Sequence, residues 1–141
     1  MPSPKTICIC GSMTFIDRME SLAAELQAAG YRVHTPVREE ASLNWDALDD
    51  EQKQARKRAY VSGYLQTIRR SDLVLLANYE KHGIAGYIGP NSLMEAAFAY
   101  ALDVPLAYLE PVGEQPCQLE ALAMSSRVFG RDLNGLASVF G

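Results

Sequence analysis

Apolar and polar positions along the chain switch repeatedly between a strand-like and a helical period. Thr6-Ile-Cys-Ile-Cys10 reads as a first strand. After Gly11-Ser12-Met13-Thr14, apolar Phe15, Met19, Leu22, Ala23 and Leu26 recur at helical spacing to about Ala29. Gly30 stands where a glycine ends a helix, just past the last periodic residue. Tyr31-Arg-Val-His34 then reads as a second strand closed by Thr35-Pro36, which completes a βαβ unit. Residues 37 to 47 carry no clean period and hold the only tryptophan, Trp45.

Asp49-Asp50-Glu51 opens a long helix that reaches about Arg70, acidic at its start and basic further along. Asp72 to Ala77 is a third strand and residues 78 to 90 a loop. Asn91 to Leu102 is a helix so rich in alanine and aromatic residues that it should be buried on most sides and meet a partner subunit. Val104 to Leu109 is a fourth strand, Gln115 to Ser125 a helix, Arg127-Val-Phe129 a short fifth strand and Asp132 to Phe140 a terminal helix. Short apolar strands separated by helices predict a doubly wound α/β fold, Rossmann-like in kind. Five strands fit the flavodoxin-like order 2-1-3-4-5. Neither an internal repeat nor a linker is visible, so one domain is expected over the 141 residues.

Composition narrows the partners. The net charge of −4 argues against a polymer of nucleic acid as ligand, which calls for a clustered basic surface. No apolar run approaches the ~18 residues of a bilayer span, and Met-Pro-Ser-Pro-Lys shows no signal-peptide pattern, so a cytoplasmic location is expected with no membrane partner. Cys8, Cys10 and Cys117 are an odd set without a secretory signal, which points to reduced thiols rather than a disulfide framework. Cys8 and Cys10 alternate with Ile7 and Ile9 and share one strand face. Further ligands at a recognisable spacing are missing, so buried apolar cysteines are the simpler reading than a metal site, and no metal or cofactor is expected.

In a sheet of this order a ligand binds outside the carboxyl ends of the strands, between strands one and three. Gly11-Ser12-Met13, the loop from Asn78 to Gly89, and the helix carrying Glu95 converge there. Glycines and free helix amides favour an anionic group such as phosphate or carboxylate. Gly11-Ser12 is neither a Walker loop nor a G-x-G-x-x-G fingerprint, so a nucleoside triphosphatase or a dinucleotide dehydrogenase is not supported. Asn91, Ser92 and Glu95 share a helical face toward the crevice. On spacing alone the favoured reading of Ser92-Leu-Met-Glu95 is a capping box, in which Ser92 caps the helix and Glu95 reaches back to the backbone.

Three segments resemble the nucleoside 2-deoxyribosyltransferase-like superfamily, which includes the 2-deoxynucleoside 5-phosphate N-hydrolases. Ile9-Cys10-Gly11-Ser12 is similar to its first strand and phosphate-side turn, Ser71-Asp72-Leu-Val to its third-strand aspartate, and Glu95-Ala-Ala-Phe-Ala-Tyr-Ala to the helix of its nucleophilic glutamate. The resemblance implies that Glu95 attacks C1′ of a deoxyribosyl N-glycoside, expels the base and forms a glycosyl-enzyme opened by water or a second base. The nucleophile must be ionised, and the positive end of its helix favours that form. Asp72 would handle the leaving base; its structural alternative is to orient the turn before strand three. Ser12 would hold a 5′-phosphate or 5′-hydroxyl, or else is a turn residue.

The chain departs from the family at three points. Gly89 stands where members carry an Asp or Ser that holds the sugar, Asn91-Ser92 replaces a Gly-Thr, and Cys8 replaces a tyrosine near the nucleophile. Sugar recognition would then fall to Asn91, Ser92, Tyr87 and the backbone of Gly86 to Gly89. Two other functions stay open: a non-catalytic nucleotide-binding or sensing module, and a cytokinin-activating type of phosphoribohydrolase, whose P-G-G-x-G-T-x-x-E signature is missing. The expected partner is a small-molecule nucleoside or nucleotide, and the expected assembly a homodimer or higher homo-oligomer.

Other candidates are read as structural. His34 is a polar strand end and His82 a loop residue. Lys53, Arg56, Lys57 and Arg58 are a solvated helix face, with a phosphate role the lesser reading. Tyr60, Tyr64 and Ile68 form a core or interface stripe. Trp45 and the irregular segment around it would lie as a lid over a nucleobase.

Overall fold

The structure is a computed structural model and describes residues 3–38, 42–125, 127–128, 135–136 and 140. Its core is a parallel sheet of β1 (Thr6–Cys10), β2 (Arg32–His34), β3 (Leu73–Leu76) and β4 (Leu106–Tyr108), in the flavodoxin-like order β2-β1-β3-β4. Two further residues, Arg127–Val128 (β5), pair parallel with β4 at the edge. The five-strand expectation is thus met by four strands, and the fifth contributes two residues to the described sheet. Phe129 and most of the expected helix at residues 132 to 140 lie outside the described residues.

Among the described residues four helices cover the sheet: α1 (Ile16–Ala28), α2 (Asp50–Arg69), α3 (Pro90–Ala101) and α4 (Gln118–Met124). Strand alternation sorts the two faces. Ile7, Ile9, Leu73 and Leu75 pack with Met19, Leu22, Ala23 and Leu26 of α1. Cys8, Cys10, Val74 and Leu76 pack with Tyr64 and Ile68 of α2, Ala96 and Ala99 of α3 and Ala121 of α4. A slip of one residue in β1 would exchange these partners, which pins its register. At ~1.5–3 kcal/mol for each fully buried aliphatic side chain, the two faces supply most of the driving force for the fold.

Local chemistry sets the helix ends. Gly30 adopts φ 101°, and the Tyr31 amide donates to Leu26 O at 3.1 Å, closing α1 as the glycine predicts. Asp49 caps α2 reciprocally: its carboxylate accepts from the Gln52 amide at 2.7 Å and the Gln52 side chain accepts from its amide at 2.9 Å. At the end of α3, Asp103 takes φ 57° and the Val104 amide donates to Ala99 O at 2.9 Å. That bond keeps Val104 out of the ladder and makes β4 shorter than expected from its sequence. Among the described residues no helix is long and apolar enough to cross a membrane.

Candidate functional site

The carboxyl ends of β1 and β3 open into a cavity of about 850 Å³, lined by Gly11, Ser12, Met13, Tyr87, Gly89, Asn91 and Ser92 among others. These seven candidate binding residues therefore share one cavity, whereas Gly86 and Ile88, whose backbone was expected beside them, are not on its wall. Trp45, in the 3-10 turn Trp45–Ala47, is also on its wall.

The loop after β3 is held by backbone and amide contacts. Asn78 bridges Glu110: its Oδ1 accepts from the Glu110 amide and its Nδ2 donates to the Glu110 carbonyl, both at 2.8 Å. Gln115 donates through Nε2 to Gly86 O at 2.9 Å and Gly113 O at 3.1 Å, and its Oε1 accepts from the Ile88 amide at 2.9 Å. α4 starts at Gln118 instead of the expected Gln115. Gly86, at φ 66°, and Gly113 lie where the two loops cross; a methyl group would fall 2.0 Å from Pro111 O at the first and 1.9 Å from Ala85 O at the second. Only glycine permits that approach.

The capping box is absent. Pro90 occupies the first turn of α3 and the cap is Gly89, without a side-chain bond, so Ser92 lies inside the helix. Glu95, one turn further, is buried to 1% exposure and its Oε2 has no hydrogen-bond partner. It is not on the cavity wall but sits behind it, against Tyr60 and Lys57 of α2, which are.

Its ionisation departs from expectation too. Burial raises the Glu95 carboxyl to about 8, and the Lys57 ammonium and the Tyr60 hydroxyl only partly offset this. The helix dipole does not hold it ionised near neutral pH. Tyr60 stacks on Tyr64 with centroids 5.6 Å apart and planes 8° from parallel, and the Lys57 ammonium lies 5.6 Å from the Tyr60 ring. Tyr64 donates its hydroxyl to Ile9 O, tying the stack to β1. Burial, and then neighbouring Cys8, push the Cys10 thiol up, in keeping with a buried, uncharged cysteine.

Asp72 does not join the site. It lies at the amino end of β3, where its Oδ2 accepts from the Thr6 amide at 2.8 Å and its own amide donates to Thr6 O at 2.8 Å. Its carboxylate stitches β1 to β3 at the opposite end of the sheet from the cavity, so the structural alternative describes it.

Lys81 and Arg38 had no place in the sequence reading, and a phosphate role for Arg56 and Lys57 was its lesser alternative. Lys81 donates to Ser12 Oγ at 3.1 Å and Thr14 Oγ1 at 3.2 Å, joining the two loops across the cavity. Arg56 and Lys57, read as a solvated face, line the cavity, as does Arg38. Arg38 is paired with Asp17 at 2.5 Å and Glu20 at 2.6 Å. The missed signal was spacing: Arg56 and Lys57 precede Tyr60 by about one turn and so flank the face that carries it. His34 is exposed and absent from the cavity wall, and His82 packs edge-on against Tyr87 at 5.2 Å. Among the described residues no group of three or more His, Cys, Asp or Glu is placed to hold a metal ion.

No protein-family model matches the chain, and no curated protein matches it. Several solved structures match, two of which illustrate the range. UDP-GlcNAc 2-epimerase from Neisseria meningitidis aligns with TM-score 0.52 at 12% identity, over 95% of this chain and 42% of the epimerase chain. The chemotaxis protein CheY4 of Vibrio cholerae aligns with TM-score 0.48 at 15% identity, over 98% of this chain and 99% of its own. At such identities the epimerase likeness speaks to the fold alone.

Proposed function

We propose that this protein cleaves or transfers the N-glycosidic bond of a (deoxy)nucleoside or nucleoside 5′-monophosphate, with Glu95 as nucleophile. The observation that carries the reading is the Glu95 carboxyl, buried with an unpartnered oxygen directly behind a cavity walled by cations, hydroxyls and aromatic rings. An unsatisfied buried polar atom costs ~1–3 kcal/mol, and a fold that keeps one beside a ligand-sized cavity marks a functional candidate. The resemblance of Ile9 to Ser12 and of Glu95 to Ala101 to the nucleoside 2-deoxyribosyltransferase-like superfamily supports the same residue.

In this reaction the ionised carboxylate forms a bond to C1′ as the C1′–N bond breaks, the base leaves with a proton from solvent or a cavity side chain, and water or a second base then displaces the ester. Trp45, Tyr60 and Tyr87 offer flat surfaces for the base. Asn91 and Ser92, on the first turn of α3, stand where the sugar hydroxyls would be held. A second copy of the chain would cover the outward side of α3 and α4, where Tyr100 is 61% and Leu119 75% exposed.

The test is free-base release from ribo- and deoxyribonucleosides and their 5′-monophosphates, with and without an acceptor base, in wild type and Glu95→Ala. Release by the wild type that the substitution abolishes supports the reading. Absence of release from every compound overturns it. That second outcome would favour a nucleotide-binding or sensing module, a reading with its own support in the 1% exposure of Glu95 and its preference for the neutral form.

A further inference from the structure

The cavity wall carries four cations, Arg38, Arg56, Lys57 and Lys81, in a chain of net charge −4. Arg38 is balanced by Asp17 and Glu20. Among the described residues the other three have no carboxylate within ion-pair distance. Lys81 is oriented by the neutral hydroxyls of Ser12 and Thr14, which fix its ammonium without cancelling its charge. Glu95, which feels the Lys57 charge, is held neutral by burial around pH 7 and cancels little.

The three free cations come from opposite sides of the sheet. Lys81 is tied to the turn that leads into α1, whose core lies on one face, whereas Arg56 and Lys57 belong to α2, packed on the other. A terminal monophosphate brings at most two negative charges to one point and would leave one side uncompensated. A chain of phosphates spreads its charge over a longer span and so suits cations on two sides of one cavity. The cavity, at about 850 Å³, is in the upper part of the ~300–1,000 Å³ range of small-molecule sites and leaves room for base, sugar and more than one phosphate.

We infer that the cavity takes a nucleotide with two or more phosphates, one end of the phosphate chain on Lys81, Ser12 and Thr14 and the other on Arg56 and Lys57. The inference rests on the reading of this cavity as a nucleotide site and carries it from monophosphates to polyphosphates. Charge-assisted hydrogen bonds at two poles, in place of one, give the longer phosphate chain its advantage.

The experiment is calorimetric titration of the full-length chain, at low and at physiological salt, with nucleosides of each common base, their 5′-monophosphates and 5′-diphosphates, and inorganic pyrophosphate. For at least one base the diphosphate is expected to bind about ten-fold or more tighter than the monophosphate. Lys81→Met and the pair Arg56→Met with Lys57→Met should each remove that advantage while circular dichroism stays unchanged. These side chains are partly or fully exposed, so the variants are expected to fold. Equal binding of mono- and diphosphates overturns the inference, as does pyrophosphate alone binding as tightly as the best diphosphate, or no binding of any compound by folded protein. Diphosphate binding without base release, unchanged in Glu95→Gln, would retain this inference and remove the proposed chemistry, so the two fail separately.

Discussion

Replacing Glu95 by glutamine should stabilise the protein, increasingly so as the pH rises. Burial holds the carboxyl near 8 against an ordinary 4.5, so the folded state keeps a proton that the unfolded chain releases. The sign follows from linkage: between 4.5 and about 8 the native state binds more protons, and stability falls as pH rises through that window. At 1.36 kcal/mol per unit the penalty is below ~1 kcal/mol at pH 5, ~3 kcal/mol at pH 7 and on the order of 4 kcal/mol above pH 8. Glutamine has nearly the shape of the neutral acid and carries no penalty that depends on pH. Urea unfolding of both proteins at pH 5, 7 and 8.5, followed by circular dichroism, reads the difference; with an m-value of ~1.5 kcal/mol/M the pH 7 midpoints should separate by ~2 M. Other ionisable groups cancel in the comparison. Parallel pH dependences in the two proteins, or a variant less stable at every pH, would refute the argument that burial dominates the Glu95 carboxyl.

The same balance predicts that base release, if present, rises with pH through about 8, and that Lys57→Met lowers kcat/KM at pH 7 by roughly three- to ten-fold while moving the profile upward, because a charge that favours the carboxylate is gone. Gly86→Ala should cost at least ~2–3 kcal/mol, since it adds a left-handed backbone penalty to a clash with Pro111 O; thermal melting measures the loss, and a variant within ~0.5 kcal/mol of wild type would show that the loop crossing yields. Asp72→Ala should lower stability by ~1–2 kcal/mol through the freed Thr6 amide and leave the proposed base release per folded molecule unchanged; a specific fall in that release would restore Asp72 to the proposed site.

The parts of the fold legible in the sequence are those written in local chemistry. Gly30 and the acidic run Asp49-Asp50-Glu51 announce one end each of two helices that no distant residue has to decide. Alternation in Thr6 to Cys10 separates the two sheet faces for the same reason: strand period alone determines which side chains meet α1 and which meet α2. Strand ends were less legible. Whether Val104 joins β4 depends on a bond back to Ala99 made possible by Asp103 in a left-handed conformation, and an aspartate advertises that conformation far less than a glycine.

The candidate site divides along the same line. Gly11 to Met13 and Gly89 to Ser92 were legible because the carboxyl ends of neighbouring parallel strands must converge. Asp72 was misplaced because a motif match names a residue without saying at which end of the strand its carboxylate works, and here the hydrogen bond to Thr6 uses it at the far end. The capping box was a valid local pattern overruled by Pro90, which sets the helix cap three residues earlier, at Gly89, and leaves Glu95 without its backbone partner. The cations on α2 were the hardest to read. A helix whose long side chains look solvated along most of its length can still turn one stretch, Arg56 to Tyr60, over a cavity opened by strands elsewhere in the chain. What makes that stretch chemically significant is Glu95 on α3, and the pairing of α2 with α3 is a tertiary fact that the α2 sequence does not carry.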